Sequence, residues 1–260
     1  MRGVNFILNR VFLFDIDGTL TPPRQSINEE FASFLEAWGA THTFYLTTGS
    51  DLPKVKEQLP QSILNLAAGI FCCMGNELFT HGGDHCVYRH EFTPSPALLE
   101  DLQSFLDHSD YPFPHRKEPH IEHRPGMINF SIPGRGSSLD DRRAYRWLDE
   151  RQRERLTIRD VLCNKHTDLD VSIGGEISLD IYSRGNDKSQ SIHYIMDHDQ
   201  PSYIVFIGDR AHPGGNDYAA CVALDELQRG VWFDVKDWKE TRALLKVNAL
   251  YTNRNGGKEE

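Results

Sequence analysis

The sequence predicts an α/β protein whose core is a parallel sheet with helices on both faces, interrupted by an inserted α+β unit with an antiparallel sheet. Short apolar strands alternate with amphipathic helices from residue 11 to about residue 80, a pattern typical of a parallel sheet. Hairpins mixed with helices then follow to about residue 184, and the first pattern returns after them. We therefore divide the 260-residue chain into a core, residues 1–83 and 185–260, and an inserted unit, residues 84–184.

The core begins with an apolar strand, "VFLFD", from Val11 to Asp15. The segment "SINEEFASFLEAWG" has apolar residues three and four positions apart. It predicts a helix that starts with a capping box of Ser26 and Glu29 and ends at Gly39. "THTFYLTTGS" is a second strand, "DLPKVKEQL" a second helix and "AGIFCCMGNE" a third strand. These elements give the strand–helix–strand series that a parallel sheet requires.

The inserted unit follows a hairpin predicted around Gly82 and Gly83 in "LFTHGGDHCVYRHEF". It contains a helix from Leu98, an alternating strand "GMINFSIPGR", a charged helix that begins at Ser138, and two strands "LDVSIGGEISLDIYS". The core then resumes with a helix "DKSQSIHYIMDH", two strands "SYIVFIGD" and "GVWFDV", and a helix "VKDWKETRALLKV". We expect the tail "NRNGGKEE" to be disordered.

Composition excludes several classes of function. Lys and Arg number 28 against 38 Asp and Glu, and the formal net charge of −10 argues against sequence-independent nucleic-acid binding. The N-terminal segment lacks the apolar region of a signal peptide, and no window approaches the roughly 20 apolar residues of a membrane span. The five cysteines are scattered and odd in number. We expect a cytoplasmic protein with neither a nucleic-acid nor a membrane partner.

Polar side chains gather at the predicted carboxyl ends of three strands, where ligands bind in open parallel sheets. Asp15 and Asp17 follow the first strand, Asp209 ends "SYIVFIGD", and Lys188 opens the helix before that strand. The second strand ends in the hydroxyl residues Thr47, Thr48 and Ser50. Such a set suits phosphoryl transfer, in which a carboxylate attacks phosphorus while hydroxyl and ammonium groups hold its oxygens. The oxygen-rich site also suits Mg²⁺. The alternative for Asp15 and Asp17 is a turn with solvated carboxylates, and the alternative for Lys188 is a lysine on the helix surface.

The segments "DIDGT", "LTTGS", Lys188 and "GDRAHPGGND" resemble, in order, the four motifs of the haloacid dehalogenase superfamily. The resemblance implies a Rossmann-like core in which Asp15 is the nucleophile that forms an aspartyl-phosphate, and Asp17 is the general acid and base. It also implies that Asp15, the backbone carbonyl of Asp17, and Asp209 hold Mg²⁺, with Asp217 supporting the ion. Read without the resemblance, Asp217 could instead be a helix N-cap.

The inserted unit lies between the second and third motifs and resembles the C2b-type cap of that superfamily. Nearly the whole chain resembles the eukaryotic-type phosphomannomutase family, most specifically in "HIEHRPGMINFSIPGRGSSLDDR" and "DVSIGGEISLDIYSRGNDKS". The residues that match the family's substrate-binding positions are Arg24, Arg124, Arg135, Arg142, Ser178 and Asp180. Guanidinium groups suit phosphate because they bind it bidentately and stay charged. Without the resemblance, Arg142 would be placed on a solvated helix face, and Ser178 and Asp180 could share a wet strand face.

The resemblance implies an isomerase of mannose metabolism and GDP-mannose biosynthesis. It would interconvert mannose 6-phosphate and mannose 1-phosphate, with the glucose pair as a further candidate, and would use a hexose 1,6-bisphosphate as activator. It also implies a homodimer formed through the cap. The family has "GGSD" where this chain has "TTGSD", so either Thr48 or Ser50 could contact the phosphoryl group. Thr48 favours the alternative of a magnesium-dependent sugar-phosphate phosphatase, and a third interpretation is a silent sugar-phosphate-binding protein.

Overall fold

The computed structural model describes residues 9–253, and within this range it has two sheets flanked by α-helices. The strands, in chain order, are β1 Arg10–Asp15, β2 Thr43–Thr47, β3 Gly69–Cys72, β4 Glu77–Thr80, β5 His85–Arg89, β6 Ile121–Arg124, β7 Met127–Ser131, β8 Leu169–Gly174, β9 Ser178–Ser183, β10 Tyr203–Gly208 and β11 Gly230–Asp234. The helices are α1 Glu29–Gly39, α2 Leu52–Gln58, α3 Gln61–Leu66, α4 Pro96–His108, α5 Leu139–Gln152, α6 Glu154–Lys165, α7 Ser189–His198, α8 Tyr218–Leu227 and α9 Trp238–Asn253.

The larger sheet has seven strands in the order β11-β10-β1-β2-β3-β4-β5. The pairs from β11 to β3 are parallel, and the predicted hairpin adds β4 and β5 as antiparallel strands at one edge. Strand β1 is paired on both sides: Phe14 is in register with Ile207 of β10, and Asp15 with Thr47 of β2. The carboxyl ends of these three strands therefore meet at one edge, as the sequence analysis predicts.

Alternating residues of β1 enter two hydrophobic clusters on opposite faces of the larger sheet. Phe12 and Phe14 pack in a cluster that includes residues of α1, α2, α3 and α9. Val11 and Leu13 pack in another, with residues of α7 and α8. Full burial of such side chains stabilises the fold by about 1.5–3 kcal/mol each. The sheet therefore has helices on both faces, which confirms the predicted fold class.

Helix α1 begins later than predicted. Asn28, in extended backbone conformation, is its N-cap and accepts the Phe31 amide hydrogen at 3.2 Å. The predicted Ser26 capping box is therefore wrong, because Ser26 Oγ instead donates to the Glu57 carbonyl oxygen at 3.2 Å. The charged helix predicted to begin at Ser138 is confirmed as α5, and Ser138 and Asp141 form a capping box at its start.

The smaller sheet is antiparallel, with the order β6-β7-β9-β8. It has its own hydrophobic cluster, in which Ile128 and Phe130 of β7 pack with Leu102 of α4, Tyr145 of α5 and Leu162 of α6. A sheet covered by helices on one face is an α+β arrangement. This part of the chain therefore agrees with the architecture predicted for the inserted unit.

The two sheets approach each other closely. Gly126, in the turn between β6 and β7, has φ +67°, and a Cβ there would lie 2.3 Å from Cβ of Asn76. Asn76 Nδ2 also donates to the carbonyl oxygen of Asn186 at 3.2 Å. Strand β5 belongs to the larger sheet, although it lies within residues 84–184.

None of the helices in residues 9–253 has the length and apolar character needed to cross a bilayer. The tail for which the sequence predicts disorder lies outside the described residues from position 254 onward, and Asn253 ends α9.

Candidate active site

One cavity brings most of the predicted site residues together. Its lining includes every one of them except Lys188 and Asp217, which lie behind the first carboxylate, and Thr47, whose hydroxyl pairs with that of Ser191. The lining residues singled out from sequence are Asp15, Asp17, Arg24, Thr48, Ser50, Arg124, Arg135, Arg142, Ser178, Asp180 and Asp209. Both sheets contribute to this set, so the cavity lies where the inserted unit meets the core.

A fully buried lysine holds the first carboxylate. Lys188 Nζ lies 2.5 Å from Asp15 Oδ1 and 2.5 Å from Asp217 Oδ1, and the lysine side chain is 0% exposed. Burial lowers the pKa of the Lys188 ammonium, but the two carboxylates outweigh that effect and raise the pKa above its usual value. The lysine is therefore a buried cation, and the sequence-based alternative of a surface lysine is wrong.

Asp15 presents one free oxygen. Its Oδ2 is buried and has no hydrogen-bond partner among the described residues. Burial raises the pKa of the Asp15 carboxyl well above its usual value, and Lys188 opposes that rise. A buried carboxylate oxygen without a donor is costly to maintain. It is suited to bind a cation or to attack an electrophile.

Three carboxylates gather around this point. Asp15, Asp209 and Asp217 each offer an oxygen, and these oxygens lie within 4.8 Å of one another. Burial is the main cause, and the negative charge of Asp217 the second, that raises the pKa of Asp209 to about 7. Gly18, with φ +89°, allows the close approach, because a Cβ there would lie 2.3 Å from Asp209 Oδ2. Lys188 and Arg210, whose Nε lies 3.8 Å from Asp209 Oδ2, supply two positive charges against three carboxylates. The oxygen donors and the orphaned Asp15 Oδ2 therefore fit a hard divalent cation such as Mg²⁺.

Asp217 supports this cluster from the loop after β10. Its Oδ2 accepts the amide hydrogens of Asp209 at 3.1 Å and Arg210 at 3.0 Å, while Oδ1 accepts from Lys188. Asp217 stands at the N-cap position of α8, but its side chain makes no capping hydrogen bond. The geometry therefore assigns the side chain to the carboxylate cluster and not to the helix end.

Asp17 is held on one side only. Its Oδ1 accepts the Arg24 amide hydrogen at 2.8 Å and a Gln58 Nε2 hydrogen at 2.8 Å, whereas Oδ2 is 3.5 Å from Ser50 Oγ. Gln58 is 2% exposed, and the sequence analysis missed it. The available signal was its position three residues after buried Val55, which puts a polar residue on the apolar face of α2.

The hydroxyl loop after β2 is supported by a strained turn after β3. Cys73 and Met74 have φ +52° and +65°, and their amides donate to the carbonyl oxygens of Ser50 and Thr48, both at 2.9 Å. Thr48 Oγ1 accepts the Ser50 amide hydrogen at 3.1 Å. Thr48 and Ser50 both line the cavity, so either hydroxyl can reach a ligand there.

Five arginines line the same cavity: Arg210 beside Asp209, and an arginine cluster of the four predicted from the sequence, Arg24, Arg124, Arg135 and Arg142. Arg142, which helix composition alone would place on a solvated face, is 4% exposed, and it donates to the carbonyl oxygens of Ser137 at 3.1 Å and Arg135 at 2.8 Å. Arg124 Nη1 donates to the Gly49 carbonyl oxygen at 2.7 Å and so joins the inserted unit to the hydroxyl loop. Arg142 is buried because it folds back onto the loop that precedes its own helix.

The arginines outnumber their acidic partners. Within the described residues, Glu122 forms ion pairs with Arg124 and Arg135, whereas Arg24 and Arg142 form none. Burial and the neighbouring Arg142 lower the pKa of Arg24 to about 10; burial and Arg124 lower that of Arg135 to about 10. Asp180 and Glu176 also line the cavity, but no carboxylate of the described residues lies within ion-pair distance of Arg24 or Arg142, so these two guanidinium groups suit an anion. Glu122 is not among the site residues predicted from the sequence.

Ser178 and Asp180 share the buried face of β9 that lines the cavity, so the alternative of a wet strand face is wrong. Asp180 Oδ1 accepts from Asn129 Nδ2 at 2.7 Å, and the two residues are cross-strand partners of β9 and β7. Burial raises the pKa of Asp180. Asn129 was missed as a site residue, although its matching place on the paired strand was the signal for it.

Comparison with known proteins finds one family whose sequence model and members match most of this chain. The sequence model of the eukaryotic phosphomannomutase family matches residues 31–250. The phosphomannomutase of Spinacia oleracea is 34% identical over 212 residues, covering 80% of this chain and 84% of that protein. The phosphomannomutase of Dendrobium officinale is 33% identical over 246 residues, covering 92% of this chain and 94% of that protein.

Solved structures share the fold at low sequence identity. A haloacid dehalogenase-like hydrolase from Bacteroides thetaiotaomicron has a TM-score of 0.54 and 14% identity, covering 82% of this chain and 85% of its own. An N-terminally truncated IMP-nucleotidase from Plasmodium falciparum has a TM-score of 0.61 and 16% identity, covering 91% of this chain and 69% of its own. These likenesses support the haloacid dehalogenase-like core with an inserted cap.

Proposed function

The chain belongs to the eukaryotic phosphomannomutase family, and we propose that it is an isomerase that interconverts hexose 6-phosphates and hexose 1-phosphates. Mannose phosphates are the expected substrates and the glucose pair a second candidate. The reaction proceeds through an aspartyl-phosphate on Asp15 and a hexose 1,6-bisphosphate, which also serves as activator.

One observation carries this proposal: the cavity combines a free attacking atom with a separate group of cations. At one side is Oδ2 of Asp15, and at the other are arginines that exceed their ion-pair partners. A phosphatase needs one phosphate site and water. A mutase that works through a bisphosphate needs a second site for the phosphate that is not reacting, and the arginines supply the groups for it.

The chemical steps use two carboxylates. Oδ2 of Asp15 attacks phosphorus of the bisphosphate, the bond from phosphorus to the sugar oxygen breaks, and Asp17 gives that oxygen its proton. In the second step a hydroxyl of the hexose monophosphate gives its proton to Asp17, and the hydroxyl oxygen attacks the phosphorus of the aspartyl-phosphate. The bond from phosphorus to Asp15 then breaks and the Asp15 carboxylate is released. The bisphosphate formed in the second step must turn over before it reacts again, so that its other phosphate faces Asp15.

The surrounding groups prepare Asp15 for this role. Lys188 holds Oδ1 and leaves Oδ2 free, and the hydroxyls of Thr48 and Ser50 can donate to phosphoryl oxygens. Mg²⁺ would be held by Asp15, the backbone carbonyl of Asp17, and Asp209, with Asp217 supporting them. Bound there, it offsets the negative charge of the carboxylates and the phosphoryl group.

A magnesium-dependent sugar-phosphate phosphatase is the second candidate. Thr48 favours it, because its hydroxyl hydrogen has no acceptor among the described residues and its side chain lines the cavity next to Asp15. In that reaction the second step uses water instead of a sugar hydroxyl. Inorganic phosphate is then the product, and no bisphosphate activator is needed.

A ³¹P NMR experiment separates the two candidates. The purified protein is mixed with Mg²⁺, mannose 1-phosphate and a catalytic amount of glucose 1,6-bisphosphate. Growth of a mannose 6-phosphate resonance without inorganic phosphate is the result we expect. Inorganic phosphate as the main product would overturn the isomerase and make Thr48 central to a phosphatase mechanism.

The homodimer and a cytoplasmic location remain predictions, as does the expectation of no nucleic-acid or membrane partner. The segment "HCVYRHEF" and the helix from Leu98 offer apolar surface for such a dimer, since Val87 is 41% and Leu99 36% exposed. Light scattering coupled to gel filtration would give the mass in solution, and a monomer mass would contradict the predicted dimer.

A further inference from the structure

A single glutamate forms ion pairs with the arginine cluster. Glu122 Oε2 accepts from Arg124 Nε at 2.8 Å and lies 3.2 Å from Arg135 Nε, and Arg124 Nη2 donates to the same oxygen. Among the described residues, the partners of this carboxylate are these two arginines. Its side chain is 32% exposed, so it lies at the open side of the cluster.

Glu122 engages the donors that an incoming phosphate would use. Arg124 directs Nε and Nη2 to Glu122 and Nη1 to the Gly49 carbonyl oxygen. The edge of the guanidinium that suits bidentate binding of an anion is thus already paired with a carboxylate. A phosphate that binds here must share these donors with Glu122 or displace it.

We propose that Glu122 is an internal counter-anion that sets, and limits, the affinity of the arginine cluster for phosphate. The inference rests on the proposed isomerase function, because a bisphosphate that has to turn over must leave the cluster as readily as it enters. Four arginines without an acidic partner would hold a phosphate strongly. Glu122 acts through Arg124 and Arg135 as a positioning residue and weakens that hold.

The test is a gain of affinity, which damage to the fold does not produce. Binding of glucose 1,6-bisphosphate is measured by titration calorimetry in EDTA, where no turnover occurs, for the wild type, Glu122→Gln and Glu122→Asp. Glu122→Gln keeps the shape and removes the charge, and we expect its Kd to fall by about five- to tenfold. Glu122→Asp keeps the charge, so we expect a Kd within about twofold of the wild type.

Glu150→Gln is the matched control, since Glu150 pairs with Arg146 on the surface of the same unit, with both side chains more than half exposed. Its Kd should equal that of the wild type. In the Glu122→Gln enzyme, KM and kcat for interconversion should both fall, because the intermediate is released more slowly. An unchanged or higher Kd for Glu122→Gln would overturn the proposal.

The NMR experiment on the wild type keeps the two conclusions separate. Release of inorganic phosphate alone would contradict the isomerase, while the binding comparison would still decide whether Glu122 limits phosphate affinity. Interconversion by the wild type, together with no gain of affinity in Glu122→Gln, would support the isomerase and reject the role of Glu122.

Discussion

Lys188 and Asp15 form a buried ion pair at 2.5 Å that engages only one oxygen of the carboxylate. The other oxygen, Asp15 Oδ2, has no partner among the described residues, although it is buried. The lysine thus orients the proposed nucleophile and leaves its attacking atom free. The same ammonium joins Asp15 to Asp217, so the loop after β10 is fixed relative to β1.

Replacement of this lysine should destabilise the protein. Lys188→Met leaves two buried carboxylates without their cation, and we expect the free energy of unfolding to fall by about 3–5 kcal/mol in urea titrations. Lys165→Met is the control, because Lys165 pairs with Asp101 while 56% exposed. It should lose less than about 1 kcal/mol. Equal losses in the two variants would contradict the role assigned to burial.

The variant Asp17→Asn tests whether the protein is an enzyme or a catalytically inactive sugar-phosphate-binding protein. With the proposed acid and base removed, we expect kcat to fall by about 10²- to 10⁴-fold. The Kd of mannose 1-phosphate should change little, because the amide keeps the shape of the side chain. Coupled assays and calorimetry measure the two quantities. A variant that retains full turnover would show that another group transfers the proton.

Gln58 should affect turnover through Asp17. Gln58→Leu removes the 2.8 Å hydrogen bond to Asp17 Oδ1, and a bond to a charged group of this kind corresponds to about a tenfold or larger loss of kcat. KM should stay within about twofold. Gln103→Leu, on the exposed surface of α4, is the control and should leave both constants unchanged. A rise in KM with normal kcat would indicate a role in substrate binding instead.

Adjacent arginines on α5 provide a sharp comparison. Arg142 is 4% exposed and lines the cavity, whereas the side chain of Arg143 is 74% exposed. Arg142→Met should raise KM for hexose phosphates about 10- to 100-fold through the lost charged contact, whereas Arg143→Met should behave as the wild type. Thermal denaturation of both variants checks folding. Similar KM values in the two variants would exclude Arg142 from the phosphate site.

The carboxylate cluster predicts a dependence on Mg²⁺. EDTA should abolish activity, and Mg²⁺ should restore it and raise the melting temperature, because a bound ion stabilises the folded state. Asp209→Asn should need more than about tenfold higher Mg²⁺ for half-maximal activity, whereas Asp140→Asn, at an exposed carboxylate, should not. Full activity in EDTA would reject the metal site.

Local patterns along the chain are enough to predict the order of elements and the position of the acidic residues. Apolar runs such as residues 11–14 identify buried strands, and parallel pairing brings the ends of β1, β2 and β10 to one edge. Asp15 and Asp209 could therefore be placed together before any contact was known. This works because hydrophobic periodicity is a local signal, and sheet topology converts it into proximity.

Which polar residues of helices and loops enter the site depends on contacts that form only in the folded protein. Charge pattern places Arg142 in solvent, yet its guanidinium is buried against the loop of Arg135 and Ser137. Gln58 carries no local mark of its partner, since it meets Asp17 across 41 residues of chain, and Glu122, although two residues from Arg124 in β6, also pairs with Arg135 beyond β7. A polar side chain finds its partner through the packing of distant segments, and that packing is not encoded in the periodicity around the residue itself.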